Sequence, residues 1–262
     1  MMDCNENLVF YFSGTGNSLA VSKDLAQTLK CSFVGITSEL LANLPEVYTA
    51  DRIVVVFPSY AYGLPRFVIR FLKRAKFDCN HLSLIVTCGS SSGGTLQSAK
   101  RILKRHHQRV NYFKELQMVE NYIPIFGSPK PKYIEKRLSR HRQRFADMAI
   151  EIQEKQENTI RGLRPISVTI RHIFGVASPL IAKMMKVKKT CTLCGLCMKT
   201  CPANAITTNN KKKRAKIRAK MCNHCQACMN ICPQHSIKLF RMRPKAKQYI
   251  NPDIKTNELI RR

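Results

Sequence analysis

Short apolar runs alternate with amphipathic stretches through the first half of the chain. The apolar runs are rich in β-branched and aromatic residues and lie at residues 8–12, 32–37, 53–57 and 82–88, with a weaker fifth at 112–119. Their length and composition predict strands, whereas the helical spacing between them predicts helices over residues 17–30, 65–76 and 94–107. Strands that are apolar on both faces and alternate with helices indicate an α/β domain with a parallel sheet covered on both sides.

The pattern changes in the second half. Residues 129–156 begin with prolines and continue as a long charged helix, which we expect to close the first domain against the sheet. Residues 172–189 are apolar but interrupted by Gly175 and Pro179, which predicts a short connector helix docked between domains. A membrane-surface helix is the alternative, but the segment is neither long nor cleanly two-faced. The expected organisation is a first domain at 1–160, a connector at 161–186, a second domain at 187–242 and a basic tail over the surface at 243–262.

A cysteine pattern occurs twice in the second half, as CTLCGLCMKTC at 191–201 and CNHCQACMNIC at 222–232. Both copies follow C-x2-C-x2-C-x3-C and continue with proline, which indicates an internal duplication. Structural zinc, with His224 as a further ligand, is the alternative to iron–sulfur ligation. Zinc sites favour paired cysteines separated by a longer spacer, so this spacing fits zinc poorly.

Each copy resembles the motif of two-cluster bacterial ferredoxins, in which the fourth cysteine of each run ligates the other 4Fe-4S cluster. The resemblance implies a small α+β ferredoxin-type domain with two clusters. The first cluster would be held by Cys191, Cys194, Cys197 and Cys232, and the second by Cys222, Cys225, Cys228 and Cys201. Such a small unit has little core, so cluster binding would supply much of its folding free energy.

The loop SGTGNS at residues 13–18 joins the first predicted strand to the first predicted helix. Backbone N–H groups and the positive end of a helix dipole favour an anion at such a point. Ser13, Thr15 and Ser18 add hydroxyl donors, and Asn17 adds an amide. A turn with an ordinary helix cap is the alternative reading.

This loop resembles the phosphate-binding loop of flavodoxins, and FPSYAYGLP (57–65) and TCGSSSGGT (87–95) lie where that fold places its other flavin loops. The resemblance implies a doubly wound sheet of order 2-1-3-4-5 with FMN at the switch between strands one and three. The chain has no Trp to stack on the flavin ring, so Tyr62 and, on the other face, Tyr122 are the candidates. The flavin loops are not acidic, and Arg66 follows one of them, which predicts a less negative flavin potential. The implied phosphate ligands are Ser13, Gly14, Thr15, Gly16, Asn17 and Ser18, and the implied ring neighbours are Ser59, Tyr60, Ala61, Tyr62, Gly63, Cys88, Gly89 and Gly93.

The charge is strongly positive, at +29, and much of the excess lies from Lys183 onward. Such a field favours an acidic protein partner, a nucleic acid or an anionic lipid surface. No apolar run approaches the roughly 18 residues of a spanning helix, and the first residues do not read as a signal peptide. We therefore expect a cytoplasmic protein, in which Cys4, Cys31, Cys79 and Cys88 remain isolated thiols.

Together the motifs resemble a family of fused flavodoxin–ferredoxin proteins. The resemblance implies an electron-transfer protein that passes electrons between two 4Fe-4S clusters and FMN and serves a separate redox partner in anaerobic metabolism. The positive charge leads us to expect an acidic partner protein. An FMN-dependent reductase of a small acceptor, such as a quinone or a nicotinamide, is the alternative. A nucleic-acid-associated iron–sulfur protein is less favoured, because no aromatic residue interrupts the basic run 211–220 for base stacking.

Overall fold

A five-stranded parallel sheet forms the centre of the first domain. The computed structural model describes residues 7–160, 169, 170, 173, 180–239 and 247–260. The strand order is β2-β1-β3-β4-β5, with every neighbouring pair parallel. This is the flavodoxin-like order, and it confirms the predicted fold class. The strands are β1 (Asn7–Tyr11), β2 (Ser32–Gly35), β3 (Glu46–Pro58), β4 (Ala75–Cys88) and β5 (Tyr112–Gln117).

Two hydrophobic cores cover the two faces of this sheet. Successive side chains of a strand point to opposite faces, so Phe10 and Val55 enter one core while Val9 and Val54 enter the other. All four side chains are fully buried. The continuous apolar runs of the central strands follow from burial on both sides.

Within residues 7–160 the structure describes six helices. The four predicted from helical spacing are confirmed, whereas the short helices α2 (Ser38–Ala42) and α5 (Ile123–Phe126) were not predicted. In α2 the hydroxyl of Thr37 accepts a hydrogen bond from Leu40 N, an N-cap contact that starts a helix too short to show a period. In the described part of the chain, no helix combines the length and apolarity needed to cross a membrane. The helices are α1 (Asn17–Thr28), α2 (Ser38–Ala42), α3 (Arg66–Arg74), α4 (Thr95–Arg105), α5 (Ile123–Phe126) and α6 (Pro131–Gln153).

The cysteine-rich region forms a small α+β unit, as predicted. Two antiparallel two-stranded sheets, β6 with β9 and β7 with β8, accompany two one-turn helices that follow the cysteine loops. Residues 173 and 180–183 of the predicted connector helix are helical. Residues 185–187 are extended instead and pair with β9 as strand β6, which corrects the end of that helix. Residues 172 and 174–179 of that predicted helix lie outside the described residues. The elements are β6 (Met185–Val187), α7 (Leu196–Thr200), β7 (Ile206–Asn209), β8 (Arg214–Ile217), α8 (Ala227–Ile231) and β9 (Ile237–Leu239).

The C-terminal segment 247–260 does not run over the surface, so that expectation was wrong. Tyr249 and Asn251 are 3% and 0% exposed. Further along, Ile254 packs with Leu19 of α1 and Ile231 of α8. One hydrophobic cluster therefore joins the first domain, the cysteine-rich unit and the C-terminal segment.

Candidate functional site

A cavity of about 300 Å³ opens at the carboxyl ends of β1, β3 and β4. Parallel sheets bind ligands at this edge, at the point where the strand order reverses. The volume falls at the lower end of the roughly 300–1,000 Å³ range of small-molecule sites. Residues 13–15, 17, 18, 58–62, 87–91, 119–122, 125, 126 and 224–226 line the cavity.

The loop after β1 turns sharply into helix α1. Gly16 occupies the N-cap with φ 97°, a left-handed conformation that glycine adopts without steric cost. Its N–H donates to the Ser13 hydroxyl oxygen at 3.1 Å, which closes the turn. Of the predicted phosphate ligands, Ser13, Gly14, Thr15, Asn17 and Ser18 line the cavity, whereas Gly16 does not. The loop thus presents the amino end of a twelve-residue helix to the cavity.

The Asn17 side chain, predicted to add an amide donor for phosphate, makes contacts within the protein. Its Nδ2 donates to Val119 O at 3.0 Å. Its Oδ1 accepts from the Tyr249 hydroxyl at 2.9 Å and from Asn251 Nδ2 at 3.1 Å. The side chain therefore connects the loop to the C-terminal segment.

The loop after β3 is a two-residue hairpin that presents Tyr62. Paired backbone hydrogen bonds join Tyr60 and Gly63, and both residues between them have positive φ, Ala61 at 48° and Tyr62 at 63°. A β-carbon at Gly93 would lie 2.6 Å from the Tyr62 side chain, so that glycine makes room for the ring. Ser59, Tyr60, Ala61 and Tyr62 line the cavity, whereas Gly63 and Gly93 support the loop from outside the lining.

Glu120 brings a carboxylate to the cavity, which corrects the expectation that the flavin loops are not acidic. Its Oε1 accepts from the N–H groups of Asn121 at 2.9 Å and Tyr122 at 3.1 Å. A β-carbon at Gly89, which also lines the cavity, would overlap Glu120. The charge expected from Arg66 lies elsewhere, because its guanidinium donates to Lys220 O at 3.2 Å at the interface with the cysteine-rich unit.

Cys88 and Tyr122 also line the cavity. Burial is the largest cause that raises the pKa of each side chain above its ordinary value. Burial likewise raises the pKa values of Cys31 and Cys79 to about 11, so these thiols are poor nucleophiles. Cys4 lies outside the described residues.

The cysteine-rich unit contains two further cavities, each bordered by four cysteines. The lining of each is almost entirely apolar apart from the sulfur atoms and a few amide and hydroxyl groups. In both cavities the fourth cysteine comes from the other sequence copy. The first set is Cys191, Cys194, Cys197 and Cys232, and the second is Cys201, Cys222, Cys225 and Cys228.

The thiols within each set influence one another. Burial, followed by the charges of Cys232, Cys191 and Cys194, raises the pKa of Cys197 to about 11. Burial and the neighbouring cysteines also raise the pKa of Cys228 well above its usual value. Four thiolates in such a place need a strongly bound cation, and sulfur donors suit iron–sulfur clusters. Across residues 7–160, 180–239 and 247–260, no group of three His, Cys, Asp or Glu side chains is arranged to hold a single metal ion.

The second cysteine loop separates the second cysteine cavity from the large cavity. Cys225, His224 and Gln226 line both spaces. A β-carbon at Gly14 would overlap the carbonyl oxygen of Cys225, so the two loops are in direct backbone contact. Gln226 is 6% exposed, and its Oε1 is buried without a hydrogen-bond partner. A ligand with a ring N–H group would satisfy this acceptor.

Hydrogen bonds fix the cysteine-rich unit to the carboxyl edge of the sheet. Asn223 Oδ1 accepts from Phe67 N at 3.2 Å at the start of α3. On the other side, Ser38 N donates to Pro202 O at 2.9 Å at the start of α2. These contacts come from both sequence copies, so the second cysteine set is held against the cavity edge by direct bonds.

The first cysteine set lies toward solvent. Cys194 is exposed and Leu193 is 38% exposed, whereas Cys228 and His224 of the second copy are buried. No Asp or Glu occurs between Glu157 and Asp253 in the sequence. Lys186 stands opposite Lys238 in the β6–β9 pair, and Lys188 lowers the pKa of Lys238 from its usual value. The surface around the exposed set is therefore strongly cationic.

Residues 190–236 match the family of 4Fe-4S dicluster domains. Similar solved structures include a short-chain flavodoxin associated with a non-canonical PDU bacterial microcompartment, with 15% identity over 55% of this chain and 97% of that chain and a TM-score of 0.32. A two-electron reduced flavodoxin from Megasphaera elsdenii has 15% identity over 42% and 84%, with a TM-score of 0.29. A flavone reductase has 13% identity over 84% and 85%, with a TM-score of 0.36.

The flavodoxin-like fold of the first domain is defined by the strand order of its sheet. No curated protein matches the chain. The chain joins a flavodoxin-like domain to a 4Fe-4S dicluster domain. This combination supports a role in redox chemistry and electron transfer.

Proposed function

We propose that the protein transfers electrons between two 4Fe-4S clusters and one FMN, and serves a separate redox partner. The first cluster would be bound by Cys191, Cys194, Cys197 and Cys232. The second would be bound by Cys201, Cys222, Cys225 and Cys228. Reduced thiolate ligands suit the cytoplasm, where we place the protein.

The observation that carries this proposal is the position of Cys225. This residue belongs to the second cysteine set and also lines the large cavity, where it contacts Gly14 of the loop after β1. Two cofactor sites with a shared lining residue are close enough for electrons to pass without a mobile carrier. The clusters supply one-electron chemistry, and a flavin exchanges one or two electrons.

The chain offers suitable groups for each part of FMN. Backbone N–H groups of residues 13–15, 17 and 18 and the amino end of α1 would bind the phosphate. Tyr62 and Tyr122 would contact the ring, and Gln226 Oε1 would accept from a ring N–H. Glu120 places a negative charge in the same cavity, which opposes charge build-up on a reduced ring.

The exposed edge of the first cysteine set is the proposed entry point for a partner. An acidic redox protein complements its cationic surroundings, and complementary charge accelerates encounter more than it strengthens the final complex. The second set has no exposed cysteine and shares Cys225 with the lining of the large cavity, so it would relay between the entry point and the flavin.

A second candidate is an FMN-dependent reductase of a small apolar acceptor. Ile125 and Phe126 line the large cavity and are 63% and 60% exposed, which gives an apolar rim beside the proposed ring site. Steady turnover of a quinone or a nicotinamide by the purified holoprotein alone would support this function. Turnover only with a protein partner would support the carrier.

The cofactor content tests the proposal directly. Anaerobically purified protein is expected to contain about eight irons, eight sulfides and one FMN per chain, because each four-cysteine set suits one cubane cluster. Metal, sulfide and flavin analysis measures this. Zinc in place of iron contradicts the cluster assignment, and iron without flavin contradicts the FMN assignment.

Gly14→Ala tests the proposed path between the cofactors. The added methyl overlaps Cys225 and must push the two loops apart, so reducing equivalents supplied to the clusters should reach the flavin more slowly, by about tenfold or more. Stopped-flow absorbance follows both cofactors. Gly35→Ala is the matched control, since the nearest atoms to its β-carbon would be those of the Tyr11 side chain, at 3.3 Å. Equal internal rates in both variants, with unchanged cofactor content, would exclude the path past Gly14.

A further inference from the structure

The C-terminal segment 247–254 contacts both the proposed phosphate loop and the cysteine-rich unit. Asn251 N donates to Thr15 O at 2.9 Å, and Asn251 Nδ2 donates to Asn17 Oδ1 at 3.1 Å. Tyr249 adds the hydroxyl contact to the same Asn17 oxygen. These bonds fix a backbone carbonyl and a side chain within the loop that would bind phosphate.

The same segment contacts helix α8 and Cys232, the cysteine that the second sequence copy contributes to the first set. Gln248 Nε2 donates to Met229 O at 2.7 Å and to Cys232 O at 2.6 Å. Next to it, Tyr249 N donates to Asn230 Oδ1 at 2.8 Å. Cys232 belongs to the first cysteine set, and the preceding helix α8 carries Cys228 of the second set. The position of the segment therefore depends on the packing around both sets.

Packing makes this connection stiff. A β-carbon at Gly16 would lie 3.1 Å from the Asn251 side chain and 3.3 Å from Ile254. Asn251, Asn230 and Tyr249 are all buried, with exposures of 0%, 2% and 3%. Buried polar groups that satisfy one another have few alternative arrangements, so a shift of α8 has to move the loop or break several hydrogen bonds.

We infer that the C-terminal segment couples the two cofactor sites: Asn251 positions the phosphate loop, and Gln248 makes that position depend on the cluster-bearing unit. This inference rests on the proposed FMN site. It predicts that FMN binds more tightly when the clusters are in place and, by thermodynamic reciprocity, that FMN stabilises the clusters.

The test uses holoprotein from which flavin has been removed while the clusters remain, titrated with FMN and with riboflavin. Asn251→Ala should weaken FMN binding about tenfold. Riboflavin binding should change less than twofold, because riboflavin lacks the phosphate. Asn257→Ala is the matched control, an exposed asparagine further along the described C-terminal residues 247–260, and should bind both ligands as wild type does.

The Gln248→Ala variant tests whether the C-terminal segment couples the two cofactor sites or only supports the phosphate loop. It removes contacts to α8 and leaves every bond to the phosphate loop in place, so a fivefold or greater loss of FMN affinity supports coupling. Chelator-driven loss of clusters, followed by absorbance, should also be slowed by FMN in wild type and not in Gln248→Ala.

The outcomes are distinguishable. Wild-type protein that binds no FMN contradicts the proposed function itself. Wild type that binds FMN, together with an Asn251→Ala variant of equal affinity, overturns the positioning role. Loss of affinity in Asn251→Ala but not in Gln248→Ala overturns the coupling. A variant that loses both riboflavin binding and its cluster absorbance has misfolded. In that case the Tyr249→Phe variant, which lacks only the hydroxyl group, is tested in place of the misfolded variant. FMN binding equal to wild type in Tyr249→Phe would then count against the inference.

Discussion

Single residues set the electrostatics of the large cavity. Glu120 places a carboxylate beside the proposed ring site, held by the N–H groups of Asn121 and Tyr122. Gln226 adds a buried oxygen without a partner. Glu120 disfavours negative charge on a bound ring, and Gln226 favours a ring N–H donor in the cavity.

Replacing Glu120 by glutamine should raise the reduction potential of the bound flavin. Removal of a negative charge stabilises the more negative reduced state, by about 1 to 2 kcal/mol for a charge near a protein surface, or a few tens of millivolts. Glutamine keeps the acceptor oxygen, so the loop should be preserved. An anaerobic redox titration measures the change, with the exposed Glu135→Gln as the control. A potential unchanged from wild type would place the flavin away from Glu120.

The cysteines were predictable from sequence because a metal site fixes ligand spacing locally. Glu120 and Gln226 were not predicted as site residues, since the fold brings their loops to the cavity from separate parts of the chain. One signal was available. The two cysteine copies differ where the second has His224 and Gln226 and the first has Leu193 and Gly195, and those two residues of the second copy line the large cavity.

At the scale of elements, helix α6 carries a buried histidine that makes the fold sensitive to acid. His141 is 4% exposed, and its Nδ1 has no hydrogen-bond partner. Burial lowers its pKa from 6.5 to about 4, although the nearby Asp253 opposes the shift. The unfolded chain therefore takes up this proton first as the pH falls below about 6.5, which removes stability between pH 6.5 and 4.

His141→Leu should remove this part of the acid sensitivity. At pH 5.5 the wild type should lose about 1 kcal/mol of unfolding free energy relative to pH 7.5 through this residue, and the variant should not. Denaturant unfolding of the holoprotein at both pH values measures the difference. The exposed His106→Leu variant serves as the control. The same pH dependence in His141→Leu and wild type would show that His141 is not the responsible group.

Elements buried on both faces were predictable, and elements at the edges were not. The apolar cores of β3 and β4 are evident in the sequence, but their extensions at residues 46–50 and 75–79, which mix polar and apolar residues, pair beyond the end of β1. The segment 247–260 has no periodic apolar pattern, because its contacts come from α1, α6 and α8 rather than from a regular element. Its burial depends on partners far away in sequence.

The charge of the whole molecule is unevenly distributed, and this distribution fits the proposed path of electron transfer. The acidic residues lie in the first domain and the last residues, whereas the unit with the cysteines has none. Cys194 of the first set therefore faces solvent within a positive field, whereas the second set shares Cys225 with the lining of the cavity that contains Glu120. Charge thus distinguishes the proposed docking end from the proposed flavin end.

Electron transfer from a small acidic redox protein should depend steeply on salt. Raising the ionic strength from about 0.01 to 0.15 M shortens the screening length from about 30 to 8 Å and should slow the bimolecular rate at least tenfold. Replacing Lys188 and Lys238 by glutamine should reproduce part of this loss. The equal-charge control replaces Lys73 and Lys104 of the first domain by glutamine. Stopped-flow kinetics measures the bimolecular rate for wild type and for both double variants. Equal rates in the two variants would place the docking surface elsewhere, and tight salt-dependent retention on nucleic acid would favour that partner instead.

The contact between Asn251 and Asn17 also has a consequence for how the protein is made. The two residues are separated by 234 positions, and a ribosome adding about 5 to 20 residues per second needs about 10 to 50 seconds to travel between them. The loop that would bind the phosphate is synthesised early, but Asn251, which contacts this loop, emerges only after both cysteine runs have been translated. Stable flavin loading would then be a late step in maturation, after Asn251 has left the ribosome.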